Sequence, residues 1–148
     1  MEAIWVRYRG TSSMMVSSKK RIVFDTSFLI NSLDMRSDLD AMIEHLVGPY
    51  KGYVPLPVIR ELKRLPRDIS VPALQLASRY ALLLSKDSYA DNFIIRQARA
   101  YGWILASDDL ALSRAVRTYG IPVISHAGRK LRYTGPGRYA SSLNLECV

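Results

Sequence analysis

At 148 residues and 49% hydrophobic content, the chain has the size of one domain with a real core, and its formal charge of +8 points to a polyanionic partner such as nucleic acid. Arginine supplies most of that charge, and arginine both pairs phosphate in a bidentate way and stacks on bases. The lone cysteine, Cys147, excludes a disulfide framework or a thiolate zinc site built within one chain and suits a reducing, cytoplasmic setting; no stretch reaches the roughly 18 apolar residues of a membrane span.

Residues 1–20 read as an N-terminal extension with little pattern, and Met14 and Met15 leave the native start open. Arg21-Ile22-Val23-Phe24 reads as an apolar strand that stops abruptly at Asp25, and Thr26 to Ile30 then turn into a short helix. Leu39, Met42, Ile43, Leu46 and Val47 share one face of a second helix, which Gly48-Pro49 ends. His45 on that helix reads as a surface residue.

Gly52 to Leu56 reads as the second strand, and Pro57 suits the first turn of a helix carrying Val58, Ile59, Leu62 and Leu65 inward. Glu61 lies at the margin of that stripe. A strongly apolar helix is expected from about Pro72 to Leu84, and the breadth of its apolar surface fits burial against a neighbouring helix or a second copy in a homodimer.

From Tyr89 to Gly102 a helix gathers Ile94, Ile95, Ala98 and Tyr101 on one side at about 100° per residue. Asp91 falls inside that apolar arc, where a carboxylate costs several kcal/mol unless a cation pairs with it. Trp103 to Ala106 reads as a buried strand, with Ser107-Asp108-Asp109 at its carboxyl end, where parallel sheets form their sites. Leu110 to Gly120 reads as a helix, and Ile121 to Ile124 as another strand, with His126 just beyond it.

The tail, 127–148, mixes cations with aromatics. Arg129, Lys130, Arg132 and Tyr133 suit contact with a nucleic-acid strand, or equally a solvated edge strand. Capping is the ordinary reading of Asp25, of Ser88 with Asp91, and of Ser107 to Asp109, each at a helix start. Strands alternating with helices imply a three-layer α/β/α sandwich around a central, mainly parallel sheet of four to five strands, with Asp25 and Asp109 on one rim. No Gly-rich dinucleotide turn or phosphate loop follows any strand, and Asp25-Thr26-Ser27 lacks the second aspartate of aspartate-based phosphatases.

Four acids remain that such a fold can assemble: Asp25, Glu61, Asp91 and Asp109. Unpaired they would repel, whereas hard oxygen ligands suit Mg²⁺ or Mn²⁺. The segments Val23-Phe24-Asp25-Thr26-Ser27, Val58-Ile59-Arg60-Glu61-Leu62, Tyr89-Ala90-Asp91-Asn92-Phe93 and Ile104-Leu105-Ala106-Ser107-Asp108-Asp109, in this order, resemble the PIN domain family across about Arg21 to Ile124.

The resemblance implies a nuclease domain over 21–126 that cuts single-stranded RNA at an acidic cluster holding one or two Mg²⁺ or Mn²⁺ ions. By position, Asp25, Glu61, Asp91 and Asp109 would be the metal-binding and catalytic acids, with Ser27, Asn92, Ser107 and Asp108 in support. Many relatives carry aspartate where Asn92 stands and asparagine where Asp108 stands. The Tyr-Ala-Asp and Ser-Asp-Asp segments look closer to the ribosomal RNA processing branch, with a ribosomal assembly partner and an rRNA precursor as substrate. VapC toxins, whose partner is an antitoxin, share the four acids, and an inactive RNA-binding scaffold is the non-enzyme alternative.

Overall fold

The computed structural model describes residues 19–84, 95–96, 98–100, 102–135 and the backbone of 146–147. The strand β1 (Lys20–Phe24) leads into α1 (Thr26–Asn31), a single 3-10 turn (Leu33–Met35) and α2 (Leu39–Val47). β2 (Tyr50–Pro55), α3 (Leu56–Lys63), α4 (Arg67–Ala77) and the three-residue β3 (Ala81–Leu83) follow. After helical backbone at 95–96 and 98–100 come β4 (Ile104–Ala106), α5 (Leu110–Arg117), β5 (Val123–Ala127), β6 (Lys130–Thr134) and β7 (Glu146–Cys147).

These strands form one sheet in the order β3-β2-β1-β4-β5-β6-β7. β3 through β5 in that order pair in parallel, while β6 and β7 are antiparallel additions. The α/β layering is as the sequence implies; the sheet is wider than four to five strands because the tail folds back onto β5. β1 is the middle strand of the parallel part of the sheet, and Ile22, Val23 and Phe24 are fully buried there, as a strand covered on both faces requires.

From β1 the chain steps outward to β2 and β3, then crosses back to place β4 on the other side of β1. Right-handed crossovers then put the intervening helices on opposite faces of the two halves, so a crevice opens between the carboxyl ends of β1 and β4. Phe24 and Ala106 are register partners at those ends, and the Asp25 amide donates to the Ala106 carbonyl at 2.9 Å. Every residue just past either strand therefore arrives at one place.

One expected element differs. The helix anticipated over 72–84 begins at Arg67 and ends at Ala77, and Ala81–Leu83 pairs in parallel with β2. Tyr80 to Leu84 is a continuous apolar run, in which neither a 3.6-residue nor a 2-residue period can be read, so pairing with β2 decides its form. Pro72 lies inside α4 instead of opening it. The turn before β3 is held by the Asp40 carboxylate, which accepts from the Tyr50 hydroxyl and, at 2.8 Å, from that of Tyr80, with Arg79 at 3.6 Å. Burial and that carboxylate push the Tyr80 hydroxyl up to about 12.

Candidate active site

β1 ends at Phe24 because Asp25 turns the chain, and Asp25 occupies the N-cap position of α1 without a side-chain cap hydrogen bond. Its carboxylate points instead into the crevice between β1 and β4. Oδ2 accepts from the Ser107 hydroxyl at 2.9 Å and from the Ser27 hydroxyl at 3.0 Å, and the residue is only 5% exposed. Burial raises the Asp25 carboxyl above its ordinary value; the two serine hydroxyls and the Thr26 backbone oppose that, while the negative charge of Glu61 adds to it.

The serines serve two strands at once. Ser27 donates to Asp25 and accepts the amide of Asp108 at 3.0 Å; Ser107 donates to Asp25 and accepts the amide of Asp109 at 3.0 Å. One hydroxyl from each strand end thus fixes both the carboxylate and the loop opposite it. Glu61 projects from an exposed position of α3, and Thr26 donates to its Oε1. That bond carries Glu61 to the same rim as Asp25.

Asp109 is the N-cap of α5: its Oδ1 accepts the Leu112 amide at 3.0 Å, and the residue is exposed. The capping reading therefore holds for Asp109, whereas for Asp25 the side chain does other work. Asp108 is turned from the Asp25 carboxylate towards β5. It accepts from the His126 amide at 2.6 Å and from Asn31 Nδ2 at 3.0 Å, and faces His126 Nδ1 at 2.6 Å. Burial alone would raise Asp108, yet the His126 ring, the His126 amide and Asn31 together hold it below the usual carboxylate range.

His126 lies within β5, not beyond it, and stacks at 4.5 Å between ring centroids on Phe28. Its Nε2 is 3.2 Å from the Ser32 hydroxyl, which itself donates to the Phe28 carbonyl at 2.7 Å. Asp91 and Asn92 lie outside the described residues. Among the described residues, no three acidic, histidine or cysteine side chains converge at metal-binding distance. Among the described residues, the side chains these hydrogen bonds gather at Asp25 offer oxygen atoms, from Asp25, Glu61 and hydroxyls, a set that fits a hard divalent cation.

In the tail, Arg129 and Lys130 are exposed, and Arg132 and Tyr133 take opposite faces of β6. Tyr133 shares the face of buried Leu131 and packs against the core, and burial raises its hydroxyl. Pattern reading overlooked Thr26 as the partner of Glu61 and Asn31 as that of Asp108, since both pairs join segments far apart in sequence.

A parallel sheet with its carboxylates at the β1/β4 switch defines the class. The chain belongs to the PIN-like family: that family's profile, described as "PIN like domain", matches residues 22–129. Among solved structures, it is similar to one described as the PIN domain endonuclease Utp24, with a TM-score of 0.68 and 24% identity over 78% of this chain and 92% of that one. It is also similar to a domain of a functionally unknown protein from Methanocaldococcus jannaschii, with a TM-score of 0.54 and 13% identity over 74% of this chain and 92% of that one. No curated protein matches the chain. No helix among the described residues is long and apolar enough to cross a membrane.

Proposed function

We propose that this chain is a metal-dependent endoribonuclease acting on single-stranded RNA. The observation that carries the reading is the Asp25 carboxylate, buried at the β1/β4 crevice, held by two serine hydroxyls and destabilised as an anion by burial and by Glu61. A buried carboxylate beside a second carboxylate is costly for a fold alone and useful for holding a cation. Membership of the PIN-like family and the likeness to an endonuclease support the same reading.

Asp25 and Glu61 would hold Mg²⁺ or Mn²⁺, with Asp109 and, from its place in the sequence, Asp91 completing the acids. When bound, such an ion supplies Lewis acidity towards a phosphodiester and its attacking water. The chain's own part is positional. Ser27 and Ser107 hold the Asp25 oxygen in one orientation, Thr26 does so for Glu61, and the Asp108–His126 pair anchors the 107–109 loop on β5. An rRNA precursor as substrate rests on the Tyr89-Ala90-Asp91 and Ser107-Asp108-Asp109 segments.

RNA binding without cleavage is the second reading, favoured by the use of Asp109 Oδ1 as a helix cap. Labelled single-stranded RNA incubated with Mn²⁺, with Mg²⁺ and with EDTA separates the two, with Asp25→Asn and Asp91→Asn beside the parent. Metal-dependent cutting by the parent, abolished in both variants, is the expected result; salt-sensitive binding without cutting would favour the scaffold.

A further inference from the structure

Beside the acidic crevice, on its β5 side, lies a cleft of about 460 Å³, a volume within the range of small-ligand sites. One wall is α5, where Leu110, Ser113, Arg114 and Arg117 recur at i, i+3, i+4 and i+7 and so share a single helix face. Leu112 and Val116, on another face, are buried in the core. The floor is sheet: Ser125 pairs with Arg132 and Val123 with Thr134, and cross-strand partners point to the same side. The remaining wall includes Ser107 and Asp108.

The charge balance of this cleft is strongly positive. Three guanidinium groups line it against one carboxylate, Asp108, and that carboxylate is already engaged by His126 and Asn31. Arg117 donates from Nε to the Gly135 carbonyl at 3.2 Å, which fixes it along the wall. Arg114 and Arg132 are exposed, and among the described residues neither has a carboxylate partner. Serine and threonine hydroxyls surround them, and Leu110, 68% exposed, offers an apolar edge. Guanidinium groups, hydroxyls and an exposed apolar edge around a cavity are what a phosphate with its nucleoside requires.

Resting on the ribonuclease reading above, we propose that the α5–β5–β6 cleft is a nucleotide subsite. It takes the RNA phosphate next to the one at Asp25, with Arg114 and Arg132 on that phosphate and Leu110 against its nucleoside. Ser107 links the two places, since its hydroxyl donates to Asp25 and the same residue lines the cleft. The RNA then crosses the rim from Glu61, over Asp25, to α5.

The test compares the parent with Arg114→Ala/Arg132→Ala, and with Lys63→Ala/Arg64→Ala, which removes equal charge at exposed positions on and just after α3. Binding of a fluorescein-labelled oligouridylate is measured in EDTA across a series of KCl concentrations, so the outcome does not depend on cleavage. The cleft variant should bind about tenfold more weakly than the control variant, and its slope of log K against log salt should fall by about 0.7 for each phosphate no longer neutralised. In Mn²⁺ the same variant should raise KM while kcat stays close to that of the parent. Equal binding by the two variants would overturn the subsite, as would saturation by inorganic phosphate at the oligonucleotide's own concentrations, which would make the cleft a free-anion site. A parent that binds in this way but cuts nothing would defeat the nuclease reading and leave the cleft standing.

Discussion

Asp108 Oδ2 lies 2.6 Å from His126 Nδ1, and the His126 amide reaches the other oxygen of the same carboxylate at 2.6 Å. The end of β4 is thereby joined to β5 through both side chain and backbone. The loop that follows β4, with Ser107 and Asp109 in it, is held against β5 by this pair.

Replacing Asp108 by Ala should cost about 1–3 kcal/mol, because the largely buried His126 ring and the His126 amide lose their acceptor. Asp108 is held below its ordinary value, so its contribution is present above the unfolded carboxylate value of about 3.9 and is lost as pH falls through the lower folded value. Urea unfolding of the parent and of Asp108→Ala should therefore differ at pH 7 and converge only in strong acid. Equal stability at pH 7 would show that the pair does not hold the loop.

Asp25→Asn should abolish cleavage while stabilising the fold in EDTA at pH 7. The sign follows from the raised carboxyl: the folded state favours the protonated form, so the parent loses stability as pH rises from the unfolded value through the folded one. An uncharged amide escapes that loss. Thermal melts of both proteins should separate at neutral pH and meet below about pH 4, where Asp25 is protonated in either state.

Ser107→Ala removes a donor to Asp25 and an acceptor for the Asp109 amide. Losses of about 10–100-fold in metal affinity or rate are usual when a ligand's supporting hydrogen bond goes. Cleavage rates measured against Mn²⁺ concentration should shift towards higher metal, and an unchanged titration would remove Ser107 from the site.

Gly52→Ala should destabilise by about 1–3 kcal/mol. A Cβ built there would meet Phe24 and Tyr80 ring carbons, each at 2.6 Å, in the place where Tyr80 packs on Phe24 at 4.5 Å between centroids. Chemical denaturation of this single variant checks that the turn before β3 is seated on β2.

The contrast between Asp25 and Asp109 shows how far pattern alone reaches. Both follow a strand and stand at the N-cap of a helix, and a side-chain cap is the natural reading of each; Asp109 makes that hydrogen bond, and Asp25 does not. The difference lies in Ser107, which is 82 residues from Asp25 and meets it only through the β1–β4 pairing. Similarly, the i, i+3, i+4, i+7 spacing of Leu110, Ser113, Arg114 and Arg117 is visible along the chain, but its cleft needs β6 to fold back and place Arg132 opposite.

By itself the sequence determined what depends on local periodicity and residue chemistry: the alternation of strands and helices, the stop of β1 at Asp25, the stop of α2 at Gly48, and an excess of cations over a small set of acids. Tertiary structure alone decided the form of Ala81–Leu83, the turning of Asp108 towards His126, and the meeting of Asp25 with Glu61's rim. The physical reason is common to all three. An apolar run, an aspartate or a serine has several local conformations of similar free energy, and the partner that selects one is brought by strand order from far along the chain.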